Sequence, residues 1–525
     1  MTKNFTLSAI LASMVFANAA AAIDPASYTL SSDGKTLTKW LGTETEIDFA
    51  TDETLMKVEA IGTYAFQDCS AITIINLNPG LTAIERGAFM DCTSLATITL
   101  PATLTTIGNA AFSDCRALRS IDFPSSVTTI GTSAFYGCES ITNVTLHNTG
   151  VTQIADGTFN KCTSLSSVDL GVQITAIGEE AFLGCEAIES LVIPESVSMV
   201  GVSAFSECYA LKNVTWGTGI TEISNYAFAG TAIEAIDFTP LTRLSYIGVN
   251  AFQDCTALSS VILPQQEISF GAQAFFRCSA LKEIVIPDDY SQVSSKAFYY
   301  TSGLEKVTLG KNVTLLKNSA FGSCASLKEI VWNDALETIE WNVFAYCTSL
   351  QEVELPESVT SIDDYAFTSC DNLSSVTLGS KITNIGQEAF SMLPKLTTVN
   401  VKAATPPALG SYAFYKSNVE NCALRVPQES VETYKAADQW KDFGTIDGVA
   451  GITGITASAD APAITVTGSK ISINGLVNGD HVAVHTIDGR AVAFLNATAP
   501  AFSIDVARGI YIVTAGDSTM KVAVR

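Results

Sequence analysis

Large apolar side chains recur along this chain at a fixed step. Phenylalanines stand at 66, 89, 112, 135, 159, 182, 205, 228, 252, 275, 298, 321, 344, 367, 390 and 414, and twelve of the fifteen intervals are 23 residues while three are 24. Residues 95–115, LATITLPATLTTIGNAAFSDC, show one unit. Leu95, Ile98 and Leu100 share one side of a short run whose other side is Thr97 and Thr99, the pattern of a half-buried strand rich in β-branched residues. Pro101 ends it, because proline cannot donate to a ladder. Other units end the same run with Pro124, Pro194, Pro264, Pro287 and Pro356, or with Gly171, Gly217, Gly310 and Gly379. Leu104 and Ile107 then turn inward. Ile107, Ala111 and Cys115 follow at i, i+4, i+8, which predicts about two turns of helix or a shorter 3-10 version.

Each unit is thus a strand and a short return with apolar groups aimed between them. One unit buries too little to offset the ordering of its own backbone, so the units must stack. The expected fold is a repeat solenoid with one parallel sheet. Fifteen steps of about 4.8 Å make that sheet on the order of 70 Å long.

The pattern L-x-x-[IV]-x-[LIF]-P…[LV]-T-x-I-G-x-x-A-F-x-x-C resembles the BspA-type leucine-rich repeat of bacterial surface proteins. LRSIDFPSSVTTIGTSAFYGC (118–138), IESLVIPESVSMVGVSAFSEC (188–208) and LQEVELPESVTSIDDYAFTSC (350–370) match it well. The resemblance covers residues 61–414. Departures are mild: Thr158 and Val343 precede their phenylalanines, and Ser269 to Gly271 disturb the Ile-Gly step. The resemblance implies a sheet on the concave face of a leucine-rich repeat solenoid at 61–400. It also implies caps at 23–60, with a hairpin around Asp33-Gly34, and at 401–447, with a closing helix. Such proteins are adhesins, so it further implies a partner among extracellular-matrix proteins or other bacterial surface proteins.

The flanks carry their own signals. Residues 1–22 place Lys3 before an apolar stretch and small residues, with Ala20, Ala21 and Ala22 suited to cleavage, so a signal peptide and export to the surface or medium are expected. The competing reading is an uncleaved anchor, since Phe5 to Ala22 approaches spanning length. Once the leader is cleaved, no integral membrane segment is expected. Residues 448–462 read as a linker. Residues 463–525 alternate in short runs, with turns at Asn478-Gly479 and Asp488-Gly489, and predict a small all-β sandwich. VAVHTIDGRAV (482–492) and RGIYIVTAGDSTMKVAVR (508–525) resemble the C-terminal sorting domain of type IX secretion substrates. A plain accessory sandwich stands as the alternative.

Composition narrows the function. A net charge of −24 disfavours nucleic acid and anionic lipid. The three histidines, His147, His481 and His485, form no catalytic or metal constellation. The last two lie on one strand about 13 Å apart, too far for one ion. No nucleophile elbow, phosphate loop or calcium loop appears. Neither enzyme activity nor a cofactor is expected. That leaves binding by outward strand positions, which are small and polar early in the chain and acidic with an apolar thread (Val285, Val331) later. Asp122, Asp169, Asp237, Glu283, Lys306, Glu329, Glu352 and Glu354 are the candidate contacts. Tyr64, Tyr226, Trp341 and Tyr365, near the return, are further aromatic candidates. A protein partner fits this polar face best. A glycan is the second reading and a ligand-free spacer the third.

Cysteines mark the unit. Cys69, Cys92, Cys115, Cys138, Cys162, Cys185, Cys208, Cys255, Cys278, Cys324, Cys347 and Cys370 each follow a repeat phenylalanine by three residues, and Cys422 stands apart. Thr231, Thr301, Leu393 and Ser417 interrupt the column and leave odd runs that cannot pair completely. Stacked cysteines about 4.8 Å apart also exceed the usual Cβ separation of about 3.5–4.5 Å in a disulfide. A linear ladder cannot gather four sulfurs around one ion. The column is expected to be mainly free thiols in a small packing slot.

Overall fold

The computed structural model describes residues 23–449 and most of 463–524. The expected leader, residues 450–462 of the expected linker and the two expected turns of the C-terminal sandwich lie outside the described residues. The chain divides into two compact units. The first runs to Val426 and includes Ser430–Asp447, and the second comprises Pro427–Glu429 and Gly448–Arg525.

The first unit is a parallel β-solenoid whose coils follow the 23-residue step. In the coil around Phe112, Leu95, Ile98, Leu104, Ile107, Ala111, Phe112 and Cys115 are all buried. The coil contributes two strands where the sequence predicted one. Thr97–Thr99 pairs in parallel with Ile74–Asn76 of the preceding coil. Thr106–Ile107 pairs with Ala83–Ile84 before it and Thr129–Ile130 after it. The T-x-I-G segment therefore carries a second ladder of its own.

The return is not an α-helix. Its N–H groups bond partly within the coil at i→i−3, as from Ala111 to Gly108 at 3.3 Å and from Cys115 to Phe112 at 3.1 Å. They bond partly across coils, as from Phe89 to Ala111 at 2.7 Å and from Phe112 to Ala134 at 2.8 Å. Two residues per coil adopt left-handed φ, such as Ala110 at 52° and Asp114 at 57°, and each breaks the helical run and frees amides for the neighbouring coil. The i→i−3 bonds are those of the shorter alternative, and the coil-to-coil bonds make a third ladder.

Every repeat phenylalanine is stacked on the next. Ring centroids lie between 4.9 Å, for Phe66 and Phe89, and 5.7 Å, for Phe321 and Phe344. The 24-residue steps do not disturb the column, because the extra residue between Phe135 and Phe159 falls in the loop after Leu146, and those rings remain 5.5 Å apart. At the N-terminal end Trp40 takes the place of a phenylalanine: its ring stacks on Phe66 at 5.3 Å, and its backbone N–H donates to the Ala65 carbonyl as the phenylalanine amides do to their neighbours. Trp40 belongs to a hairpin, Tyr28–Leu30 against Thr36–Trp40, closed by Gly34 at φ 73°. At the other end Phe414 meets Trp440 and Phe443 edge-on, and the Trp440 indole N–H donates to Pro407. Tyr434, on the short helix Val431–Ala436, donates to Ala403.

Glycine at strand ends answers to the coil beneath it. A Cβ on Gly310 would sit 2.1 Å from the Pro287 carbonyl oxygen. Gly217 sits equally close above Pro194, whereas Pro124 follows Pro101 and Pro287 follows Pro264, so glycine is required at particular steps and not above every proline.

The second unit holds two antiparallel sheets. One orders Ala463–Thr467, Lys470–Asn474 and Ala501–Asp505. The other orders Ala491–Asn496, His481–Thr486, Gly509–Ala515 and Ser518–Val524. They share an apolar core that includes Ile471, Ile473, Val482, Val484 and Val513.

Candidate binding surface

The three-residue strands display their middle residue inward and both flanking residues outward, as alternation requires. Ile284 is buried between exposed Glu283 and Val285, and Val353 between exposed Glu352 and Glu354. Ladder register sets which candidates meet. Glu283, Lys306 and Glu329 stand in one column on adjacent strands, with Lys306 bonded to Glu329 at 2.7 Å. Glu352 and Glu354 lie on a separate sheet that begins one coil later, and Lys402 lies 3.9 Å from Glu354 and 2.9 Å from Glu357. These pairs are solvent-exposed and add little stability.

The remaining candidates are scattered. Asp122 is exposed but sits in a coil with no regular strand at this position. Asp169 and Asp237 are on other sheets, and each carboxylate closes a turn: Asp169 accepts the Gly171 N–H, and Asp237 accepts the Thr239 N–H and hydroxyl.

Beside the Glu283–Lys306–Glu329 column lies a groove of about 610 Å³. Ile262, Val285, Pro287, Thr308 and Leu309 line it, with Lys282, Glu283 and Asp288 around them. Ile262 and Val285 are about half exposed, at 48% and 57%. Ile262 escaped the sequence reading. Its signal was an aliphatic residue at an outward position, one coil after Asp237 and one coil before Val285.

Behind this face the cysteines form a hydrogen-bonded column. All thirteen are free thiols, and all but Cys69 are buried. From Cys92 to Cys370 each thiol points at the carbonyl of the preceding coil's phenylalanine, as Cys185 does to Phe159 at 3.1 Å and Cys347 to Phe321 at 3.4 Å. Thr301 and Ser417 make the same bond, to Phe275 and Phe390. Burial pushes the thiols of Cys162, Cys208 and Cys255 up to about 12. Such thiols stay protonated and are poor nucleophiles and poor metal ligands. Among the described residues no group of three or more His, Cys, Asp or Glu side chains is arranged to hold a metal ion.

Stacked parallel coils, an inner hydrogen-bonded column and an outward sheet define a leucine-rich repeat solenoid, a class of binding scaffold. Residues 53–151, 129–246, 175–305 and 291–420 match the family described as the BspA type leucine-rich repeat region. These stretches span well over half the chain, which belongs to that family. A leucine-rich repeat protein from Bacteroides ovatus is 29% identical over 67% of this chain and 93% of its own, with a TM-score of 0.61. A leucine-rich cell surface protein from Faecalibacterium prausnitzii is 26% identical over 73% of this chain and 95% of its own, with a TM-score of 0.39. No curated protein matches the chain. Among the described residues no helix is long and apolar enough to cross a membrane.

Proposed function

We propose that this is an exported surface protein, without catalytic activity, that binds a protein partner through its three-residue strands. The observation that carries this reading is the groove at Ile262 and Val285, set beside the charged column of Glu283, Lys306 and Glu329. An apolar trough beside charged residues is the anatomy of a protein interface, where apolar contacts supply affinity and rim charges supply orientation. The aliphatic lining, free of aromatic rings, favours a polypeptide over a sugar on this face. Family membership supports adhesion, with extracellular-matrix proteins or other bacterial surface proteins as the partners to screen. The second unit serves as a sorting or accessory domain of the exported chain.

The test is capture of matrix proteins by the immobilised full-length chain. Replacing both Ile262→Asp and Val285→Asp puts charge into the trough and is expected to weaken binding about a hundredfold. Neutralising Glu352→Gln with Glu354→Gln is expected to weaken it a few-fold and to flatten its salt dependence. Unaltered binding by the groove variant moves the interface off this face.

A further inference from the structure

Exposed apolar residues are sorted by type between the faces of the solenoid. On the three-residue strands they are aliphatic: Val192, Ile262, Val285 and Val331. Along the return they are mostly aromatic, and they gather at its C-terminal end. Four successive coils, those of Phe344, Phe367, Phe390 and Phe414, display Trp341, Tyr346, Met392, Tyr412 and Tyr415, with half-buried Tyr365 among them. Each lies within three residues of its phenylalanine and so on the same edge of the stack. Coil steps there are 5.2 to 5.6 Å between phenylalanine rings.

The rings are held. Trp341 meets Tyr365 edge-on at 6.4 Å, and the Tyr365 hydroxyl accepts from the Gln387 amide at 2.9 Å. Tyr412 and Tyr415 meet at 5.5 Å, and Lys416 lies over the Tyr415 ring. These two tyrosines open a pocket of about 450 Å³ with Ser411, Gln439 and Asp442. The Gln439 side chain is fixed by bonds to the backbone of Ala413 and Gly410.

We propose that this C-terminal return edge is a second binding site, for a neutral polysaccharide, distinct from the strand face. A sugar ring presents an apolar C–H face and a rim of hydroxyls, so it needs an aromatic face with polar groups at the side. Between the rings stand Asn342, Ser369, Glu388 and Ser411, not the apolar surround that shields an aromatic anchor in a protein interface from water. One ring system per coil over most of the edge matches the repeat of a polymer better than a single small ligand. A pocket of about this volume suits one or two sugar units, since small-molecule sites are commonly ~300–1,000 Å³. The chain's net charge of −24 disfavours an acidic polymer and leaves a neutral one unopposed.

The experiment is affinity electrophoresis of the full-length protein through gels containing dextran, mannan, laminarin or xylan, with alginate as the acidic comparison. At least one neutral polymer is expected to retard the protein, and alginate is not. Trp341→Ala with Tyr412→Ala is expected to weaken retention about tenfold while leaving thermal unfolding unchanged, because both rings are on the surface. Binding should also shift the emission of Trp341, the most exposed tryptophan of the solenoid, and Tyr412→Phe should retain the sugar. The proposal is overturned if no neutral polymer retards the protein or if the double variant binds as tightly as wild type. It is equally overturned if the double variant loses a protein partner and keeps the polysaccharide.

Discussion

Three residues after the repeat phenylalanines the solenoid mostly places a short hydrogen-bond donor, with Leu393 the apolar exception. Cysteine, threonine and serine all fill that role. Thr231 fills it differently, donating to Phe228 of its own coil and contacting the Cys255 sulfur at 3.2 Å. Read from the sequence, Cys, Thr, Ser and Leu looked like fillers of a small space. The acceptor was invisible because it belongs to the preceding coil, 26 residues back in the case of Cys185. Threonine and valine have nearly the same shape, so they separate packing from donation. An apolar slot would favour Cys185→Val over Cys185→Thr, whereas a donor slot reverses the order. The threonine variant is expected to be more stable by about 1 kcal/mol, the net worth of one hydrogen bond. Thermal unfolding of the two variants side by side checks it.

The coil as an element was legible in part. Inward positions such as Leu95, Ile98 and Ile107 announced themselves by period, and all are buried. The choice between helix and turns was not legible, because Ile107, Ala111 and Cys115 face inward in either case. Left-handed backbone at Ala110 and Asp114 decides it, and neither residue type demands that conformation. Neighbouring coils impose it by offering acceptors such as the Ala134 and Tyr136 carbonyls. The same dependence on neighbours governs the phenylalanine column. Phe205 has rings at 5.1 Å on one side and 5.3 Å on the other. Phe205→Ala is expected to cost about 3–5 kcal/mol. It should also divide one cooperative transition into two, because coupling in such arrays runs through nearest-neighbour contacts. Calorimetry resolves the two transitions. A single transition at a lower temperature would show that the strand ladders alone hold the coils together.

At the scale of the whole molecule the buried thiols act in sum. Folding raises Cys162, Cys208, Cys255 and Cys370 from an ordinary 9.0 to about 12, with burial as the main cause in each. A group whose folded value is raised contributes its full stability below its unfolded value and loses it as pH climbs through the folded one. The melting temperature should therefore hold steady up to about pH 9 and fall progressively from there towards pH 12. Serial replacement of the column by threonine, which does not titrate, should flatten that fall. The binding faces were legible unevenly at this scale. Outward strand positions followed from alternation. The gathering of Glu283, Lys306 and Glu329 needed the register of three strands. The aromatic edge needed knowledge of where the return points.

The ring column sits between Trp40 and Trp440, and every internal step repeats the same ring stacking. A gene encoding such a column can duplicate or lose one in-frame unit internally and still yield a chain with closed ends and matched bonds. Each such event lengthens or shortens both outer faces by one coil without asking the interior to change. Reach towards a partner can thus vary between relatives faster than the fold, and chain length becomes a heritable dial on how much surface the protein offers.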